Sequence, residues 1–269
     1  MYDQIGKIAI LNVKGEVKKE DLKKIKEIGR RILKESKHLE TVLLKKEKVK
    51  GRLRKAKYEH LCGKKSFETL YKENNCLFKL NLEKVYFNPR LATNRLFVAQ
   101  DILTLIKSKK IRNPKILVAF CGVGVYGIVI GKILKKEGLS YKKITMVELN
   151  REAIKYAKEN VLLNKLENFE IIQGDVRKIL SQLKEKFEIV LAPRPKLKND
   201  FLKEIFLVSK KGTFIYYFDF IRKEEFKNLK EIFKEKLKNF KKRIRILKIK
   251  KAGEISPTKL RVLIVFKLI

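Results

Sequence analysis

Glycines at positions 122, 124 and 127 close the apolar run Ile116-Leu117-Val118-Ala119-Phe120-Cys121 at the G-x-G-x-x-G spacing. A turn of this composition lets the backbone approach a bound nucleoside with no Cβ in the way. About twenty residues on, as in nucleoside-binding βαβ units, the run Ile144-Thr145-Met146-Val147 ends in Glu148, an acid able to accept from both ribose hydroxyls. The next run, Phe169-Glu170-Ile171-Ile172-Gln173, ends in Gly174-Asp175, where an acid suits the adenine amino group. The turn alone admits a dinucleotide as readily as S-adenosylmethionine; the Gly174-Asp175 ending favours S-adenosylmethionine. A dinucleotide, or glycines that only shape tight turns, stays open on these residues. With S-adenosylmethionine, Gly122 and Gly124 border the methionine moiety, Glu148 the ribose and Asp175 the adenine, with Phe120, Leu149 and Val176 beside them.

Positioning these groups requires strands and helices in alternation, and the hydrophobic periodicity supplies them. Strands are expected at 115–120, 143–148, 169–173, 187–192 and 213–218, with helices at 125–137, 151–163, 177–185, 198–209 and 223–238 between and after them. Two last strands, 242–250 and 260–268, complete the pattern of five parallel strands plus an antiparallel pair. The fold class is therefore α/β: a Rossmann-like class I methyltransferase domain with a seven-stranded sheet over residues 89–269, entered by a helix at 90–106. A small α+β domain over residues 1–88 precedes it, with a strand at 7–13, a helix at 18–37 whose apolar stripe is Leu22, Ile25, Ile28, Ile32 and Leu33, and a strand at 41–44. Short segments at 67–71 and 76–82 flank Glu73-Asn74-Asn75.

The 269 residues carry 67 Lys and Arg against 30 Asp and Glu, a formal net charge of +37. A polyanion is the natural partner of such a chain. Composition bias, in a thermophile or an AT-rich genome, is the competing source of lysine, but thermophilic enrichment ordinarily raises glutamate in parallel, which has not happened here. No apolar stretch is long enough to span a membrane, and Met1-Tyr2-Asp3-Gln4 does not open a signal peptide; a cytoplasmic protein is expected. Cys62, Cys76 and Cys121, with only His38 and His60, support neither a disulfide framework nor a metal site. Cys121 is expected to fill an alanine-sized hole.

Further motifs cover almost the whole chain. Gly51-Arg52-Leu53-Arg54, Tyr58-Glu59-His60-Leu61-Cys62-Gly63, Lys72-Glu73-Asn74-Asn75-Cys76, Val85-Tyr86-Phe87-Asn88-Pro89-Arg90-Leu91, the glycine turn, Glu148-Leu149-Asn150 and Glu159-Asn160-Val161-Leu162-Leu163-Asn164-Lys165 resemble the archaeal and eukaryotic tRNA (guanine-N1) methyltransferases that act at position 37, next to the anticodon. The resemblance implies S-adenosylmethionine as cofactor, the tRNA anticodon loop as partner, a monomer, and guanine N1 or the wyosine precursor 4-demethylwyosine as target. It extends to the related aminocarboxypropyl transferase of the wybutosine pathway, and it implies a chain that begins with the second of the family's usual three domains.

Carried over residue by residue, the resemblance gives Arg54 as the cation facing the target base, where it can stabilise charge developing on guanine O6, and places Tyr86 beside the pocket. The family's general-base glutamate is matched by Asn94, an amide that cannot take a proton. Its asparagine before Leu-Pro is matched by Pro193, and the first acid of the glycine-turn strand by Val118. Glu59, Asp219 or solvent is then left to receive the proton, and a tRNA-binding protein without turnover is the reading of another class. Arg54, Lys55, Lys57, Arg90 and Arg95 interleave with Tyr58, Tyr86 and Phe87, a mixture suited to a flipped base and its flanking phosphates. The basic run 236–245 is read as either tRNA attraction or a solvated face.

Overall fold

The computed structural model describes residues 2–13, 18–47, 51–54, 56–197, 199–240 and 242–269. The chain divides into two compact units, the first made of residues 1–90, 122–124 and 150–165, the second of residues 91–121, 125–149 and 166–269.

In the first unit the order is β1 (Tyr2–Ile5), β2 (Ile8–Leu11), α1 (Lys19–Glu35), β3 (Thr41–Lys45), β4 (Tyr58–Gly63), β5 (Glu68–Glu73) and β6 (Cys76–Asn81). Strands β1 to β4 form one sheet in sequence order, with β2 and β3 parallel across the α1 crossover. The single strand expected at 7–13 is instead the second half of a hairpin. Gly6 turns it at φ +57, and a Cβ there would overlap the Leu70 carbonyl oxygen, so the hairpin tip lies hard against β5. Helix α1 buries Ile25 and Ile32 against Ala9, Val42, Leu44 and Leu61, but Ile28, expected on the same stripe, is exposed. Strands β5 and β6 form a separate hairpin turned by Asn74 and Asn75, both at positive φ (48 and 58) as a two-residue turn requires.

The helix Arg151–Leu163 packs on β6 within this unit. Asn160, fully buried, accepts from Lys79 N (2.7 Å) and donates to Lys79 O and Val123 O (both 3.1 Å). One turn later Asn164 accepts from Leu77 N (2.9 Å) and donates to Leu77 O (2.7 Å). Two asparagines thus complete the open edge of β6 with side-chain amides in place of another strand.

The second unit opens with a 3-10 turn, Pro89–Leu91, and α2 (Ala92–Lys109). Then come β7 (Lys115–Ala119), α3 (Val125–Lys136), β8 (Lys143–Glu148), the helix Arg151–Leu163 (α4), β9 (Phe169–Gln173), α5 (Val176–Gln182), β10 (Phe187–Ala192) and α6 (Leu202–Leu207). The end of the chain supplies β11 (Ser209–Arg222), a 3-10 turn at Glu224–Phe226, α7 (Leu229–Lys238), β12 (Ile244–Ser256) and β13 (Lys259–Leu268). The sheet order is β12-β13-β11-β10-β7-β8-β9. Strands β9, β8, β7, β10 and β11 are parallel, and β13 and β12 add the antiparallel pair. Its direction of growth reverses between β7 and β10, the switch point where ligands bind in open α/β sheets. Gly127 seats α3 on the sheet, since a Cβ there would come to 2.5 Å of Met146 Sδ.

Boundaries moved where tertiary pairing outweighs local pattern. The helix expected at 198–209 shrinks to α6 because Asp200 accepts from Leu202 N (3.0 Å) and Phe201 turns left-handed at φ +62; Lys198 lies outside the described residues. Strand β11 runs on to Arg222 because β13 pairs with it residue for residue from Phe214 to Arg222. Among the described residues no helix is long and apolar enough to cross a membrane.

Candidate active site

Parallel registry brings the carboxyl ends of β7, β8 and β9 to one edge. Ala119 pairs with Val147, and Glu148 with Gln173. Past the strand ends, Cys121 N donates to Val147 O (3.0 Å) and Gly174 N to Glu148 O (2.9 Å). These bonds tie the loops leaving β7 and β9 to β8 and set Phe120, Glu148, Leu149 and Asp175 along a continuous rim. Phe120 holds φ +58, a conformation that costs a non-glycine residue about 1 kcal/mol or more and concentrates at functional turns. Its ring is braced edge-on by Phe201 at 4.8 Å. Glu148 and Leu149 are half-buried, whereas Val176 is buried in the core beneath the rim. Cys121 is buried too, as its place in the turn suggested.

Asp175 caps α5. Its carboxylate accepts from Arg177 N (3.0 Å) and pairs with Arg177 Nη2 (2.6 Å), which fixes the group in one orientation. Sequence reasoning missed the arginine; the signal was available as a cation two residues after a helix-capping acid.

In the first unit, Gly122 (φ +57) and Gly124 (φ +89) take conformations that favour glycine. A Cβ built on Gly122 would find no heavy atom nearer than Tyr86 O at 4.0 Å, so the space a side chain would fill is open. Tyr86 carries the Arg54 guanidinium over its ring at 4.8 Å. Arg54 itself is presented by the turn 51–54, closed by Arg54 N to Gly51 O at 3.2 Å. Both line an open cleft of about 440 Å³ with Lys45, Tyr58, Phe87, Asn88 and Arg90. Asp3, on its wall, accepts from Arg90 (2.7 Å) and Asn12 (2.8 Å). Burial, with the Asp3 charge nearby, pushes the Tyr58 hydroxyl up to about 12, so it stays a proton donor at neutral pH.

Other candidates fall elsewhere. Asn94, in the first turn of α2, donates from Nδ2 to Ala252 O (2.9 Å) and so is held by β12. Arg95 does not belong to a basic surface: it is 4% exposed, turned inward on α2. Lys57 is exposed and pairs with Glu47 (3.1 Å); Lys55 lies outside the described residues. Neither substitute base is idle, since Glu59 pairs with Lys46 (2.6 Å) and buried Asp219 pairs with Arg194 and with Lys236 (3.1 Å). Pro193 precedes that Arg194, which is buried and also lies over Tyr217 (5.6 Å) and Phe220 (5.4 Å). In the run 236–245, Lys236 is thus an internal partner, and Lys241 lies outside the described residues. Edge strand β12 carries exposed Arg245, Lys248, Lys250 and Lys251, with Lys250 Nζ 3.5 Å from the Phe97 ring centroid.

Residues 69–251 match the model of the TRM5/TYW2 methyltransferase domain, and residues 1–66 that of the TYW2 N-terminal domain. Over 222 residues the chain is 32% identical to the tRNA (guanine(37)-N(1))-methyltransferase Trm5b of Pyrococcus abyssi, covering 81% of this chain and 59% of that protein. The crystal structure of Trm5b from that organism matches with a TM-score of 0.81 at 28% identity, over 100% of this chain and 74% of the other. The tRNA (guanine(37)-N(1))/4-demethylwyosine(37)-methyltransferase Taw22 of Nanoarchaeum equitans is 41% identical over 174 residues, 65% of this chain and 51% of that protein. The structure of aTrm5 in complex with tRNALeu matches with a TM-score of 0.80 at 27% identity, over 100% of this chain and 72% of the other. The chain spans between half and three-fifths of the length of these two curated relatives.

Proposed function

Since the chain belongs to the TRM5/TYW2 methyltransferase family, we propose that it uses S-adenosylmethionine to methylate the base at position 37 of tRNA, at N1 of guanine, with 4-demethylwyosine as a second target. The observation that carries this reading is the rim of Phe120, Glu148 and Asp175 on three adjoining strand ends. The relatives named for methylation at position 37, and the one solved with tRNALeu, support the substrate and the tRNA partner.

When bound, the cofactor supplies a methyl group on a sulfonium, already an electrophile. The chain's own residues bind and orient. Gly122 and Gly124 give backbone access to the methionine moiety, Glu148 accepts from the ribose hydroxyls, and Asp175, locked by Arg177, accepts from the adenine amino group. Phe120, Leu149 and Val176 shape the walls. Arg54, steadied by Tyr86, faces the target base and favours its N1-deprotonated form by lying near O6. Asn94 and Pro193 occupy the places of the family's acid and amide; with Asn94 tied to Ala252 O, the N1 proton leaves to solvent. Residues 1–88 serve as the tRNA-binding module and residues 89–269 as the catalytic one, in a monomer acting in the cytoplasm.

Glu148→Ala is expected to weaken S-adenosylmethionine binding by roughly ten- to a hundredfold, the scale of charge-assisted hydrogen bonds, with tRNA affinity unchanged. Calorimetric titration checks it, and unaltered cofactor affinity would remove Glu148 from the pocket. Lys250→Glu is expected to weaken tRNA binding and to lower the slope of log K against log salt by about one, as read from filter binding at several salt concentrations; an unchanged slope would make β12 a merely solvated face.

The direct test is incubation with unmodified tRNA and with tRNA carrying 4-demethylwyosine, followed by mass spectrometry of the nucleoside at position 37. A methyl gain supports the reading. The match of residues 1–66 to the TYW2 N-terminal domain favours aminocarboxypropyl transfer as a second reading, which leaves 5′-methylthioadenosine in place of S-adenosylhomocysteine. Binding of tRNA with neither gain would point to a relative without turnover.

A further inference from the structure

One buried charge has no use in this account. Arg261 of β13 is 6% exposed, its guanidinium lies 4.1 Å from the centroid of the Phe218 ring, and its Nη1 is buried without a hydrogen-bond partner. Among the described residues no carboxylate pairs with it. The contrast is Arg194, equally buried but held by Asp219. A guanidinium cannot shed its proton to escape burial, and a buried charge without a counter-ion is strongly unfavourable. An aromatic face offsets only part of that. The arrangement is one that a bound anion completes.

Its place in the sheet says which anions can reach it. Tyr217 of β11 pairs with Ala192, the last residue of β10. Arg261 pairs with Phe220, three residues further along β11, and so stands beyond the carboxyl end of the parallel strands, on the side where ligands bind in open sheets. The Phe218 ring that bears it also packs on Tyr126 (5.8 Å), the second residue of α3 and so of the helix that leaves the glycine turn. Gly253, opposite Arg261 on β12, is next to Ala252, whose carbonyl holds Asn94.

We propose that Arg261 is a receptor for an oxyanion of a bound substrate, either the carboxylate of the cofactor's amino-acid tail or a phosphate of the RNA. The choice between those sources rests on the methyltransferase reading; the oxyanion site itself does not.

The test compares the wild-type protein with Arg261→Met, which keeps bulk and removes charge. The first arm uses inorganic phosphate against chloride at equal ionic strength. Phosphate is expected to raise the Tm of the wild type and to lose that increment in Arg261→Met, whose ligand-free Tm is equal or higher. The second arm titrates S-adenosylmethionine, its decarboxylated analogue and tRNA. If the carboxylate is the ligand, Arg261→Met weakens S-adenosylmethionine at least tenfold and leaves the analogue unchanged; if a phosphate is, tRNA weakens at least tenfold and the cofactor does not. Equal phosphate increments together with affinities within twofold of wild type would overturn the inference. So would an Arg261→Met protein that fails to fold while Arg261→Lys and Arg261→Gln fold and bind both ligands normally, because binding would then not depend on the guanidinium. A wild type stabilised by phosphate but binding neither substrate would instead overturn the functional reading and leave the oxyanion site standing.

Discussion

Arg54→Ala is expected to lower the rate of methyl transfer about a hundredfold, the scale on which loss of one fixed electrostatic group acts on a transition state, while tRNA affinity falls only severalfold. The guanidinium lies over the Tyr86 ring at 4.8 Å, on a turn closed by its own N–H, so its direction is set before any substrate arrives. A cation so prepared acts on charge that appears only as the base loses its proton, which makes its effect larger on kcat than on binding. On the proposed reading the requirement is sharper, because Asn94 is an amide and cannot accept that proton. Single-turnover assays beside filter binding separate the two quantities. Equal losses in both would reduce Arg54 to a phosphate contact. Arg54→Lys should fall between, since lysine keeps the charge and loses the planar stack.

The second large effect is on stability. Asn160→Leu is expected to cost on the order of 3 kcal/mol, because it leaves buried backbone groups without partners. The side chain is fully buried and satisfies Lys79 N, Lys79 O and Val123 O together. Leucine keeps the branched outline of the side chain and removes every hydrogen-bonding group. Thermal and denaturant unfolding should show a lower midpoint. A variant as stable as wild type would mean that water replaces the amide and that this helix is held by its apolar face alone.

Much of the seven-stranded sheet was legible because its central strands are buried on both faces. Ile116 to Ala119, Ile144 to Val147 and Ile189 to Ala192 are all buried, and runs that are apolar in all but Thr145 announce parallel strands. The rim was legible for a related reason, since glycines and acids at strand ends are punctuation that sequence displays. What stayed hidden depends on partners distant in sequence. Tyr2-Asp3-Gln4 has no apolar alternation, yet it becomes β1 because Ile8–Leu11 offers an edge to pair with. Arg95 and Lys57 look alike as letters, but one is turned inward on α2 and the other is exposed. Asp219 reads as a spare acid until the fold brings Arg194 and Lys236 to it.

The helix Arg151–Leu163 follows β8 and precedes β9, two strands of the seven-stranded sheet, yet Asn160 and the capping Asn164 are bonded to β6 residues 81 and 87 positions earlier in the chain. The two units are therefore interleaved in the gene and cannot be exchanged as cassettes. A fragment starting at Pro89 would carry the helix without the edge that Asn160 and Asn164 complete, and a fragment ending at Asn88 would carry that edge uncovered. Recombination, truncation and tag insertion must respect a boundary that the chain crosses five times, so such a chain is inherited whole more readily than it is assembled from parts.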